Sequence, residues 1–139
     1  NDEKKVLLAK RLNENAWQFP QGGINDKEST EDAMYRELKE EVGLSHKHIL
    51  VIEKTKGWLR YDVPKNWIRS NSQQKYRGQK QVWFLLKLVG EDTDIFLRNT
   101  TKPEFDDWKW VSYWAPLEEV VDFKKSVYKK ALSELEEYI

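Results

Sequence analysis

Hydrophobic and polar positions along this chain follow two periods. Residues 4–11 hold a short apolar run between charged flanks, which predicts a strand. Trp17-Gln18-Phe19-Pro20 reads as a second extended piece, broken sharply by Gln21-Gly22-Gly23. Residues 49–52, 58–63 and 81–89 read as further strands, the last rich in β-formers. Residues 108–114 alternate aromatic with polar side chains, as a half-buried strand does. Residues 29–42 switch to a helical period. Ser29 or Thr30 can cap that helix, Glu31 and Asp32 suit its positive end, and Gly43 stops it. Pro116 opens a short helix through Val121. Residues 125–139 are amphipathic, with Val127, Tyr128, Ala131, Leu132, Leu135, Tyr138 and Ile139 on one stripe, a packing role. Strands mixed with a central and a terminal helix predict an α/β sandwich.

Length and composition narrow the class without naming a chemistry. The 139 residues suit one domain spanning 1–139. Lys plus Arg and Asp plus Glu are 24 each, so bulk charge gives no reason to expect general polyanion binding. There are no cysteines, which excludes disulfides and thiolate metal sites and suits a reducing cytoplasm. No apolar stretch approaches a membrane span. Seven tryptophans can fill a core, and some can offer stacking surfaces for bases.

The helix over residues 29–42 carries the chemistry. At about 100° per residue, Met34, Leu38 and Val42 share an apolar arc. Glu37, Glu40 and Glu41 share the adjoining arc with Ala33, at the margin between buried face and water. Like charges so placed repel unless a counter-charge is present. A hard divalent cation answers this, because magnesium takes oxygen ligands and completes its shell with water and phosphate. A solvated acidic face partnered by Arg36 and Lys39 answers it as well. The loop Gln21-Gly22-Gly23-Ile24-Asn25 feeds the helix N-terminus, an arrangement suited to phosphate.

Gly22, Glu28, Arg36, Glu37, Leu38, Glu40, Glu41, Gly43 and Leu44 match every position of the Nudix box at its spacing, so the segment resembles the Nudix hydrolase family. Residues 17–25, 57–61, 78–81, 103–106 and 108–114 extend the likeness to the bacterial RNA 5′-pyrophosphohydrolase branch of that family. The resemblance implies a Nudix α/β/α sandwich with a mixed β-sheet between helices. It implies a bacterial cytoplasmic enzyme that trims 5′-triphosphate or diphosphate RNA ends to monophosphate and so promotes mRNA decay. Close relatives hydrolyse diadenosine polyphosphates, which is the alternative substrate class. A Nudix-fold protein that binds RNA ends without cleaving them is a third reading. Members of that branch begin with a Tyr-Arg-Pro segment and an apolar strand; this sequence has neither, so a strand of the sheet is expected to be absent.

Residue roles follow from the resemblance. Glu37, Glu40, Glu41 and Glu104 would bind Mg2+ (or Mn2+ or another divalent cation), and one carboxylate would act as base. Glu28 and Arg36 would pair to brace the loop against the helix. A carbonyl near Gln21 or Gly22 suits the same cation. Arg11, Tyr61, Gln79 and Lys80 would lie near phosphates, and Val121, Phe123 and Lys124 would form a base-binding edge. Residues 54–81 contain eight Lys or Arg against Asp62 alone. Trp58, Tyr61, Trp67 and Tyr76 are interleaved there, a footprint that fits an RNA end. His46 and His48 are read as surface residues.

Overall fold

A computed structural model describes residues 1–62 and 78–139. Its main elements are β1 (Val6–Arg11), β2 (Trp17–Gln18), α1 (Thr30–Val42), β3 (Ile49–Lys54), β4 (Leu59–Asp62), β5 (Gly78–Gln81), β6 (Phe84–Leu88), β7 (Phe105–Val111), α2 (Pro116–Glu119) and α3 (Lys125–Leu135). Lys65, Trp67, Arg69, Lys75, Tyr76 and Arg77 of the basic segment lie outside the described residues.

The α/β content agrees with the sequence reading. The strands pair in three sets, β2-β1-β7, β3-β6 and β4-β5. Every described pair is antiparallel, where one mixed sheet was expected. Antiparallel strands can leave one face in water. β3 does so, with Ile49 buried at 7% exposure and its neighbour Leu50 exposed at 55%.

Three boundaries differ from expectation, each for a local reason. The strand expected over 81–89 is two strands. Gln81 pairs with Leu59 of β4, whereas Phe84 pairs with Lys54 of β3. The chain changes partner at Trp83, whose carbonyl accepts from Thr55 N–H at 2.8 Å and whose N–H donates to Thr55 Oγ1 at 3.1 Å. The strand expected over 108–114 starts earlier, at Phe105, and ends at Val111. Ala115 N–H then donates to Ser112 O, closing a turn, and Tyr113 OH is drawn inward to Leu132 O at 2.7 Å. The last helix stops being α-helical at Leu135 and tightens into a 3-10 turn. Tyr138 and Ile139 therefore leave the stripe and are exposed, while Val127, Tyr128, Ala131, Leu132 and Leu135 are buried.

Two apolar clusters hold the pieces together. Val42, Leu44, Ile49 and Ile95 form one, against Leu7, Tyr35, Leu38, Trp108 and Trp110. Tyr61, Val120, Val127 and Tyr128 form the other, against Phe19, Trp83 and Phe123. Each fully buried aliphatic side chain contributes about 1.5–3 kcal/mol. Between the clusters runs a cleft of about 1260 Å³. Leu7, Leu86 and Leu132 line its apolar end, and Gln21, Glu37, Glu41 and Glu104 line its polar end.

Candidate active site

Local sequence builds the carboxylate helix. Ser29 Oγ accepts the Asp32 N–H at 3.0 Å. Gly43, with φ 76°, ends the helix by donating to Lys39 O at 3.0 Å. That left-handed conformation favours glycine. Ahead of the helix, a Cβ added to Gly22 would fall on the Glu37 carboxyl, so any larger residue there would have to displace that side chain.

Arg36 ties loop to helix. Its guanidinium donates to both oxygens of Glu28 at 2.9 Å, to Glu37 Oε1 at 2.7 Å and to Gly23 O at 2.7 Å. Glu28 also accepts Asn25 N–H at 3.0 Å. The Arg36 guanidinium, helped by the Asn25 N–H, holds the Glu28 carboxyl down to about 2. The Arg36 pKa is itself raised, first by Glu28 and then by Glu37. The expected pairing of Glu28 and Arg36 is present, and it reaches further than expected, to the loop carbonyl.

The carboxylates do not share one environment. Glu41 is buried at 6% exposure, and its Oε2 has no hydrogen-bond partner. Burial, then the Glu37 and Glu104 carboxylates, push its pKa up to about 8, against a backbone hydrogen bond from Gln21. Glu40 points outward, its side chain 53% exposed and 3.5 Å from Arg36. Among the described residues no three acids already converge as a closed ion-binding set. Arg36 holds Glu37, and Glu40 and Glu104 face solvent. Even so, the donor chemistry suits a hard cation: the carboxylates offer oxygen, and one buried carboxylate oxygen lacks any partner.

The opposite wall is assembled from distant segments. Trp83 Nε1–H donates to Gln81 Oε1 at 2.9 Å, and Gln81 Nε2 donates to Gln21 Oε1 at 3.1 Å. Gln21 Nε2 reaches Gln79 Oε1 at 3.5 Å, and Tyr61 OH donates to the same oxygen at 2.7 Å. The indole can only donate, so the amide directions follow from it. Gln81 and Trp83 were not singled out in the sequence; only the partner switch at Trp83 marks them. Lys80 Nζ sits 4.7 Å from the centre of the Trp58 ring.

The structure gathers most of the predicted residues on the cleft. Glu37, Glu41 and Glu104 line it together with Gln21 and Gly22. Arg11, Tyr61, Gln79 and Lys80 line the same space, although Arg11 Nε is also engaged by Glu14 Oε2 at 2.9 Å. Val121, Phe123 and Lys124 do not line the cleft; Val121 is exposed, and Phe123 and Lys124 pack against Tyr61. The Phe123 ring is 5.8 Å from the Tyr61 ring, and Lys124 Nζ is 5.9 Å from its centre. Lys124 is buried, and burial followed by the charge of Arg11 lowers its pKa. His46 is exposed but stacks on Tyr35 at 3.6 Å, and His48 Nδ1 accepts Ser45 N–H at 3.0 Å, so both serve local structure.

Residues 1–131 match the NUDIX domain family, and the chain belongs to it. Solved structures share the fold. The dihydroneopterin triphosphate pyrophosphohydrolase of E. coli superposes with a TM-score of 0.74 at 20% identity, over 96% of this chain and 89% of that one. An Ap4A hydrolase binary complex of C. elegans gives 0.65 at 20% identity, over 96% and 88%. A Nudix hydrolase of M. smegmatis, RenU, gives 0.63 at 15% identity, over 97% and 76%. Among the described residues no helix is long and apolar enough to cross a membrane.

Proposed function

We propose that this chain is a divalent-cation-dependent Nudix hydrolase that cleaves a phosphoanhydride at the 5′ end of RNA and leaves a 5′-monophosphate. The observation that carries the reading is the buried Glu41 Oε2, which lacks a partner and feels the charges of Glu37 and Glu104. Glu37, Glu40, Glu41 and Glu104 would hold the cation. When bound, magnesium or manganese neutralises phosphate oxygens and lowers the pKa of water.

The chain's own groups do the rest. Arg36 fixes Glu37 and the Gly23 carbonyl, so the loop and the helix stay in one geometry. A carboxylate of the cluster takes a proton from the attacking water as oxygen bonds to phosphorus and the anhydride bond breaks. The leaving group departs as phosphate or pyrophosphate. Arg11 and Lys80 offer positive charge to the remaining phosphates. Phe123 and Val121 offer an apolar edge to the first bases, with Lys124 beneath it, and aromatic stacking of this kind tolerates different bases.

A dinucleoside polyphosphate would use the same carboxylates, and a fold neighbour is an Ap4A hydrolase. Parallel rates on 5′-triphosphorylated RNA and on a dinucleoside tetraphosphate, with magnesium, separate the two. We expect higher kcat/KM on RNA. A higher value on the dinucleotide makes that the substrate class, and no turnover of either leaves an RNA-end binder.

A further inference from the structure

Strand β7 carries one residue more than its partner. Lys10 pairs with Asp107 and Arg11 with Phe105, so Asp106 has no opposite number. This is a β-bulge beside the polar end of the cleft. Bulges re-aim neighbouring side chains, and a one-residue change of register reverses the alternation of everything beyond it. Glu104 lies just beyond this one.

The extra residue is held by a hydrogen bond at one carboxylate oxygen and by an ion pair, without hydrogen-bond geometry, at the other. Asp106 Oδ2 accepts Asn13 N–H at 3.0 Å, and Oδ1 meets Lys10 Nζ at 2.5 Å. Both side chains of that ion pair are largely shielded, 23% and 22% exposed. Asn13 has φ 59°, a conformation that asparagine tolerates better than most residues. Next to it, Leu12 N–H donates to Glu104 O at 2.9 Å. The β1–β2 turn thus holds the Glu104 backbone, and Asp106 holds the turn.

We infer that Asp106 is a positioning residue for Glu104: the Lys10–Asp106–Asn13 clamp keeps the bulge, and the bulge sets Glu104 on the cleft, where its charge reaches Glu41. The inference rests on Glu104 being a cation ligand. It identifies an acid that touches neither cation nor substrate but sets where one ligand stands.

The test is a Mn2+ titration of the metal-free enzyme followed by electron paramagnetic resonance, on wild type, Glu104→Gln, Asp106→Ala and the double variant. Asp106→Ala should weaken Mn2+ binding roughly 10-fold, the lower end for residues supporting a ligand. In the Glu104→Gln background it should add nothing, because its effect passes through Glu104. Asp106→Asn keeps an acceptor for Asn13 N–H but loses the ion pair to Lys10, so its affinity should fall between those of wild type and Asp106→Ala. Wild-type Mn2+ affinity in Asp106→Ala, or an equal loss in both backgrounds, overturns the inference and leaves the ligand reading intact. Wild-type affinity in Glu104→Gln overturns the ligand reading itself. Should Asp106→Ala not fold, Lys10→Met loosens the same clamp and is judged by the same criteria.

Discussion

The two walls of the cleft are made differently. One is charged and local: Gly22, Gly23, Glu28, Arg36, Glu37 and Glu41 fall within about twenty residues, and the Arg36 guanidinium joins Gly23, Glu28 and Glu37. The other is largely neutral and non-local: Gln21, Tyr61, Gln79, Gln81 and Trp83 come from three stretches of chain and meet through single hydrogen bonds. Charge-assisted bidentate bonds are roughly twice as strong as neutral ones. The first wall therefore resists distortion, while the second adapts at small cost. A reaction centre needs the first property, and a surface that accepts different bases tolerates the second.

Breaking the charged wall should have the largest effect. Glu41→Gln is expected to lower kcat by roughly 10²–10⁴-fold, the range for loss of an acid–base group. Single-turnover cleavage in magnesium measures it, and a near-normal rate removes Glu41 from the site. The same variant should stabilise the metal-free protein at high pH. The Glu41 carboxyl ionises near 4.5 in the unfolded chain but only near 8 in the fold. The folded state therefore holds the extra proton between those values. Stability is full below about 4.5 and falls as pH rises toward 8, by several kcal/mol, an order-of-magnitude figure. Thermal melts of metal-free protein at pH 5 and pH 8.5 should differ less for Glu41→Gln than for wild type.

Arg36→Lys tests the brace. Lysine keeps one charge but cannot make the bidentate contact with Glu28 while also holding Glu37 and Gly23 O. A fall in kcat of roughly 10–100-fold is expected, as for residues that orient ligands. Rates equal to wild type would show that the loop keeps its geometry without the fork.

The packing behind the neutral wall, where Phe123 meets Tyr61, should respond least. Phe123→Ala is expected to raise KM for RNA while kcat changes little, since base stacking is worth about 1–3 kcal/mol. An unchanged KM takes Phe123 out of recognition. A fall in kcat as large as that of Arg36→Lys would instead erase the contrast between the walls.

Much of the charged wall was legible because its determinants are near in sequence. Helix α1 carries its own cap and stop, and the Nudix spacing placed Glu28, Arg36 and the three glutamates together. Legibility ended where partners were remote. A helical wheel treats Glu40 and Glu41 as equivalent neighbours, yet one is half exposed beside Arg36 and the other is buried. Only the elements packed around α1 separate them. The break between β5 and β6 was hidden because Val82 and Trp83 suit a strand; the change of pairing partner, from β4 to β3, is a property of the sheet. The bulge at Asp106 was hidden for the same reason, since register is set by both strands at once.

By itself the sequence determined the α/β class, the carboxylate helix with its caps, and the glycine loop before it. These depend on hydrogen bonds and periodicities that close within a few residues. The tertiary structure alone decided which glutamate is buried with one oxygen unpartnered, how the amides from Gln81 to Gln79 are oriented, and where Glu104 stands. Each of those depends on a group far along the chain, and burial, repulsion and register exist only once the two are brought together.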